Sequence, residues 1–289
     1  MNKKIMLALV CSLPMSQAVI AACSDINAAS LLTAAKNTQN TGGYSLPMWA
    51  TVVDETGVVC AVVTTGQAGA TAGNHAWLGS RVISAQKANT ANDFSLDGYA
   101  ISTANLYSAV QPGGSLYGLQ HSNPVDPAIA YSGNADDYGV TNTSGVQDGK
   151  SDPLIGNRIG GVNVFGGGLA LYLNGKKVGA LGVSGDTSCR DHANAWQIRA
   201  ALKLQPGKGT VGITTYNVNA AGQLQTNLAG ATVGDELILN VGSDKDGDNN
   251  YWIAWSQPAC PNSTALGAAN NTLNGTILIN NIVDNHKSW

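Results

Sequence analysis

Apolar residues recur along this chain with two different periods, and the switches between them mark its elements. Ala28, Leu31, Leu32 and Ala35 fall at helical spacing, with Ser24 or Asp25 as N-cap and Gly42-Gly43 as the stop, which predicts a helix over 25–40. Residues 48–53 and 58–65 are apolar, β-branched runs. They are divided by Asp54-Glu55-Thr56-Gly57, whose glycine suits the left-handed position of a tight turn, so a β-hairpin is predicted. Leu78, Val82, Ala85 and Ala88 share one helical face within 76–95, and the small alanines allow that helix to lie close on a sheet. A further helix is expected at 99–109. Residues 168–173 and 177–184 flank Asn174-Gly175, a strong short-range hairpin signal. After Gly185-Asp186-Thr187-Ser188 comes a helix with Ala195, Ile198 and Leu202 on one side and Ala193, Trp196 and Ala200 beside them, ending by Pro206-Gly207.

Two stretches break this rhythm. Residues 111–161 are rich in Pro, Gly, Asn, Asp and Ser and read as one elaborate loop; a loop of that length inside a domain is usually either functional or disordered, and a ligand is expected there. Residues 205–289 carry short strand-like runs (211–216, 236–241, 251–255 and 276–282) between Gly and Asn clusters, which predicts a β-rich extension. The order helix, hairpin, helix, loop, hairpin, helix describes an α+β domain over 23–204, an antiparallel sheet flanked by helices.

Residues 1–22 are set apart by their own pattern. Lys3-Lys4, an apolar run to Leu13, and Val19-Ile20-Ala21 reproduce the three parts of a secretory signal peptide, so an exported, periplasmic or secreted protein is expected. Ile20-Ala21-Ala22-Cys23 also resembles a lipobox, which leaves a lipoprotein anchored through Cys23 as the alternative. The apolar run is too short for the ~20 residues of a membrane-spanning helix. The whole 289-residue chain is 44% hydrophobic and 11% charged, enough to form a core, with 15 basic residues against 18 acidic and no basic run. A nucleic-acid partner is therefore not expected. Without Cys11 the cysteines are Cys23, Cys60, Cys189 and Cys260, an even set suited to two disulfides in an oxidising compartment. If the first helix runs back along the first strand, Cys23 approaches Cys60, and Cys189 then pairs with Cys260 to tie down the tail.

Several segments carry a family resemblance: Val52-Val53-Asp54-x-x-Gly57, Lys87-Ala88-x-Thr90-Ala91-x-x-Phe94, Phe165-Gly166-Gly167-Gly168-Leu169-Ala170-Leu171-Tyr172, and Asn174-Gly175-x-x-Val178-Gly179-Ala180-Leu181-Gly182-Val183-Ser184-Gly185 followed by Asp191. Over about residues 25–203 the chain resembles the GlcG/HbpS-like family of haem-binding or haem-degrading domain proteins. The resemblance implies a profilin-like fold, a homo-oligomer, and a small-molecule ligand with haem foremost; haem breakdown and a cell-envelope interaction role are the alternatives. Thr65-Gly66-Gln67-Ala68-Gly69-Ala70 stands where the family commonly has an Arg and an Asp.

Haem iron needs an axial nitrogen, sulfur or oxygen donor. His121, beside Tyr117 and Leu119 in the long loop, is the first candidate. His75, next to Trp77, is the second, and Met48, His192 and His286 complete the donors after the leader. Each has a plainer reading: His121 as a hydrogen-bonded surface residue, His75 as a helix start, His192 as a solvent-facing first-turn residue, His286 as a terminal passenger. Ser184 and Asp186 lie where a strand meets a helix N-terminus, whose amides can receive a carboxylate. Asp244, Asp246 and Asp248 alternate as calcium ligands do, but Trp255 stands where an EF-hand loop needs Glu, and a solvated turn is the alternative.

Overall fold

The computed structural model describes residues 26–38, 46–65, 73–138 and 151–207, with Cys23, Tyr44, Thr210, Asp235, Leu237 and four short tail segments. Two hairpins build one sheet. Strands β1 (Trp49–Asp54) and β2 (Val59–Thr64) form the first, β3 (Gly168–Leu173) and β4 (Lys176–Ser184) the second. They join through the antiparallel β1–β4 pair, giving the order β2-β1-β4-β3. The β3–β4 turn is made by Asn174 and Gly175, both at positive φ (52° and 79°), the conformation that a two-residue hairpin loop demands.

Side chains alternate across this sheet, and both faces are covered. Ala50, Val52, Leu169, Leu171, Leu181 and Val183 face α1 (Ala28–Asn37) and α5 (Ser188–Leu202), where Trp196 and Ile198 complete a core. Trp49, Val53, Val62 and Ala180 face α2 (Gly79–Phe94), which presents the fully buried Ala85, Ala88 and Ala91. Small residues on both partners bring α2 close enough for Thr51 and Ser84 to share a 2.6 Å hydrogen bond across the layer. The result is the α+β arrangement expected, an antiparallel sheet with helices on it.

Three local expectations are corrected. The N-cap of α1 is Asn27, whose side chain accepts from the amides of Ala29 and Ser30 at 2.9 and 3.2 Å; Ser24 and Asp25 lie outside the described residues. Instead of one helix over 99–109 there are two 3-10 turns, Thr103–Leu106 and Ser108–Val110. Reciprocal hydrogen bonds between Ser102 and Asn105 tighten the first of them. Part of the 111–161 stretch is ordered by helices α3 (Leu119–Ser122) and α4 (Pro127–Ala130) and by packing on the α2 side of the sheet. There Arg81, fully buried, donates to Asp152 and to the Ala130 carbonyl and lies 3.6 Å over the Tyr138 ring. Gly156 and Asn157 hydrogen-bond both ways with Val59 at 2.9 Å, so this segment covers the outer edge of β2.

Three described tail residues, Asp235, Leu237 and Gln257, contact the domain. Asp235 receives the Arg199 guanidinium at 2.5 Å, Leu237 joins the α1–α5 core, and Gln257 donates to Cys189 Sγ. Tail strands β5 (Tyr216–Val218) and β6 (Leu224–Thr226) pair antiparallel, and β7 (Leu239–Asn240) pairs parallel with β8 (Gln257–Pro258). The runs 251–255 and 276–282 lie outside the described residues, as do residues 1–22. Cys23 and Cys60 are bridged as expected. Cys189 is also disulfide-bonded; Cys260 lies outside the described residues.

Candidate functional site

A cavity of about 500 Å³ opens where the second face of the sheet ends. Three chain segments meet there for local reasons. Helix α2 begins at Gly79 and contributes Ser80, Ile83 and Lys87, one helical stripe at spacings of three and four. The crossing into β3 contributes Phe165. Strand β4 runs out through Ser184 and Gly185 to Asp186, and the first turn of α5 adds Ser188 and Asp191. Trp77 and Phe165 are large apolar side chains left about half exposed, 53% and 46%, and they form its open wall. Phe165 is braced by Tyr107, with ring centroids 6.2 Å apart in a stacked arrangement.

The floor is polar and buried. Lys87 Nζ donates to Asp191 Oδ2 at 2.8 Å and to the Val183 carbonyl at 3.0 Å, with the two side chains only 1% and 3% exposed. Asp191 Oδ1 accepts the Asp186 amide at 2.9 Å. Burial dominates both titrations: it lowers the pKa of Lys87 against the pull of Asp191, and it raises that of Asp191 to about 6 although Lys87 opposes it. Desolvation thus favours the uncharged form of both partners. Gly167, at φ 118°, makes this closeness possible, since a Cβ there would stand 3.0 Å from Asp191 Cβ and 3.2 Å from Lys87 Nζ.

The rim favours an anion. Two long helices, α2 and α5, begin at the cavity, where the helix dipole attracts negative charge. Thr187 caps α5 by accepting from Arg190 N–H, whereas Leu78 at the start of α2 supplies no side-chain cap. The carboxylate of Asp186 accepts from the backbone amides of Tyr44, Leu46 and Thr187 at 2.6–3.0 Å, so it pins the 44–46 segment beside the cavity.

Of the residues singled out from sequence, Ser184 and Asp186 line this cavity, and His121, His75 and Tyr117 are not among the described lining residues. His121 is exposed on α3, and Tyr117 is exposed just before it. His75 is exposed with its ring 5.7 Å from that of Trp49. Met48 is buried, its sulfur accepting from Asn194 at 3.4 Å. His192 is not the solvent-facing residue expected: it is fully buried, neither ring nitrogen has a hydrogen-bond partner among the described residues, and the ring stacks near Trp196 at 6.1 Å. Burial pushes its pKa down to about 3, keeping it neutral. The reason is that α5 is covered on a second side, where Gly166 and Gln257 pack against its first turns. Asp244, Asp246, Asp248 and His286 lie outside the described residues.

A family model described as "Haem degrading protein HbpS-like" matches residues 24–200, which contain both hairpins, α2 and nearly all of α5. The chain belongs to this HbpS-like family. Among curated proteins it is 34% identical over 89 residues to an uncharacterized 15.0 kDa protein in the dhaT-dhaS intergenic region of Citrobacter freundii; the match spans 31% of this chain and 38% of that relative's length. Among solved structures it is similar to Klebsiella pneumoniae protein ORFY (24% identity, 68% of this chain and 99% of that one, TM-score 0.38). It is also similar to the PduOC:heme complex (23% identity, 62% and 94%, TM-score 0.40). Neither likeness in shape is close enough to place a ligand in this HbpS-like chain.

Haem can be tested against the cavity residues themselves. The apolar wall of Trp77, Ile83 and Phe165 suits the face of a porphyrin, and the α2 and α5 N-termini suit its carboxylates. The iron is not suited. Among the described lining residues none is His, Met, Cys or Tyr, and the Lys87 amine and Asp191 carboxylate are engaged with each other.

Proposed function

We propose that this HbpS-like protein is a small-molecule receptor, that its ligand is a haem-type tetrapyrrole, and that it holds the ligand by its flat face and its carboxylates without an iron bond from the cavity. The observation that carries this reading is the combination of half-exposed Trp77 and Phe165 with two helix N-termini around one cavity of suitable size. Binding is the function; nothing in the donor set calls for chemistry at iron. We also propose an exported protein, supported by the leader-like pattern of residues 1–22 and by disulfide bonding of Cys23, Cys60 and Cys189.

Parallel absorbance titrations with haemin and with iron-free protoporphyrin test the reading. Both should saturate, with dissociation constants agreeing within about threefold, under ~0.7 kcal/mol. Trp77→Ala should weaken both, and His121→Ala neither. Tight binding of haemin alone, lost in His121→Ala or His75→Ala, would replace the proposal with histidine ligation from outside the cavity.

A further inference from the structure

The buried pair on the cavity floor is not needed to hold a flat apolar ligand, and its geometry suits a different task. Lys87 Nζ has two hydrogen-bond acceptors among the described residues, Val183 O and Asp191 Oδ2. An ammonium group would have a third N–H with no acceptor among the described residues. A neutral amine has two N–H groups, one for each acceptor, and keeps its lone pair. A side chain at Gly167 would crowd Nζ at 3.2 Å, and Lys87 lines the same cavity as the apolar Trp77, Ile83 and Phe165.

We infer that Lys87 is the nucleophile of a covalent site that condenses with a small aldehyde or ketone bound in the cavity, with Asp191 carrying the protons. The inference rests on the cavity being a ligand site and adds a carbonyl class to what that site accepts. The amine nitrogen attacks the carbonyl carbon, and Asp191 passes a proton from nitrogen to the new alkoxide, giving a carbinolamine. Asp191 then protonates its hydroxyl, which leaves as water while the nitrogen lone pair closes the C=N bond; the proton left on nitrogen returns to Asp191. Carbonyl and amine become imine and water, with no oxidant or reductant required. Burial that weakens the hold of Lys87 on its proton, and strengthens that of Asp191, supports both roles.

Reductive trapping on the full chain tests this directly. The protein is incubated near pH 7 with 4-carboxybenzaldehyde and cyanoborohydride, which reduces an imine to a stable secondary amine, and modified lysines are located by peptide mass mapping. Lys87 should be modified at least about tenfold faster than the exposed Lys176, despite its burial. Excess iron-free protoporphyrin should protect Lys87 and leave Lys176 reactive. Asp191→Asn should slow modification of Lys87 selectively; the wild-type competition stands as the test if that variant folds poorly. Modification of Lys176 with Lys87 untouched overturns the inference. If porphyrin still binds in that case, the cavity reading survives; if neither porphyrin nor aldehyde engages the cavity, both fall.

Discussion

Replacing Asp191 by Asn should damage the fold most in acid and least near neutrality, the reverse of what breaking an ordinary ion pair does. Asn preserves the shape of the side chain but removes the partner of a buried Lys87, a change that costs about 3–5 kcal/mol in comparable buried pairs. Against this stands a cost within the native protein. The carboxyl of Asp191 has its pKa raised from 3.8 to about 6 because burial disfavours its charge. The folded state therefore holds a proton that the unfolded chain has already released. The stabilisation linked to that proton is complete below pH 3.8 and is lost as pH rises through about 6. A shift of that size corresponds to ~3 kcal/mol, which Asn, having no charge to form, does not lose. Lys87, deprived of its carboxylate, has its own pKa lowered further, and that penalises the variant again in acid. Urea unfolding of both proteins at intervals from pH 4 to pH 7 should show the stability gap narrowing by ~3 kcal/mol, or roughly 6–12 °C in Tm. A gap that stays constant or widens with pH would refute the claim that desolvation governs this pair.

Other consequences are more local. Arg81→Met should cost about 3–5 kcal/mol, because it strands Asp152 in the interior, and limited proteolysis should then cut within 111–161. A methyl at Gly182 would collide with the Ser84 carbonyl, so Gly182→Ala should lower the melting temperature by more than ~5 °C, while Gly156→Ala tests strain at positive φ with open space around it. Replacing both Cys23 and Cys60 by Ser opens a bridge spanning 37 residues and should cost roughly 4 kcal/mol in denaturant unfolding. Trp77→Ala should change stability by less than ~0.5 kcal/mol while reducing porphyrin affinity, which separates ligand contact from folding.

The elements were readable because their signals are local. Asn174-Gly175 and the β-branched runs beside Gly57 specify hairpins within a few residues, and the alanine stripe of α2 anticipates a helix lying close on a sheet. The joining of the two hairpins through β1 and β4 depends on contacts more than a hundred residues apart, which no period encodes. The site was readable only in part. Ser184 and Asp186 announced themselves as a strand running into a helix start. Lys87 and Asp191 stood in the segments that carried the family resemblance, yet a charged residue on a helix reads as solvated until packing shows otherwise. Histidines drew attention as iron donors, while the described cavity is walled by Trp77, Ile83 and Phe165. The 111–161 segment invited a ligand, but its described part covers the β2 edge and the α2 side of the sheet, a use that turn-rich composition does not reveal.

Backbone amide shifts recorded during addition of iron-free protoporphyrin, with residues assigned, test where the ligand sits. Perturbations should concentrate in residues 77–87, 165–168 and 184–191. Perturbations centred on Leu119–Ser122 around His121, with those three segments silent, would contradict the account.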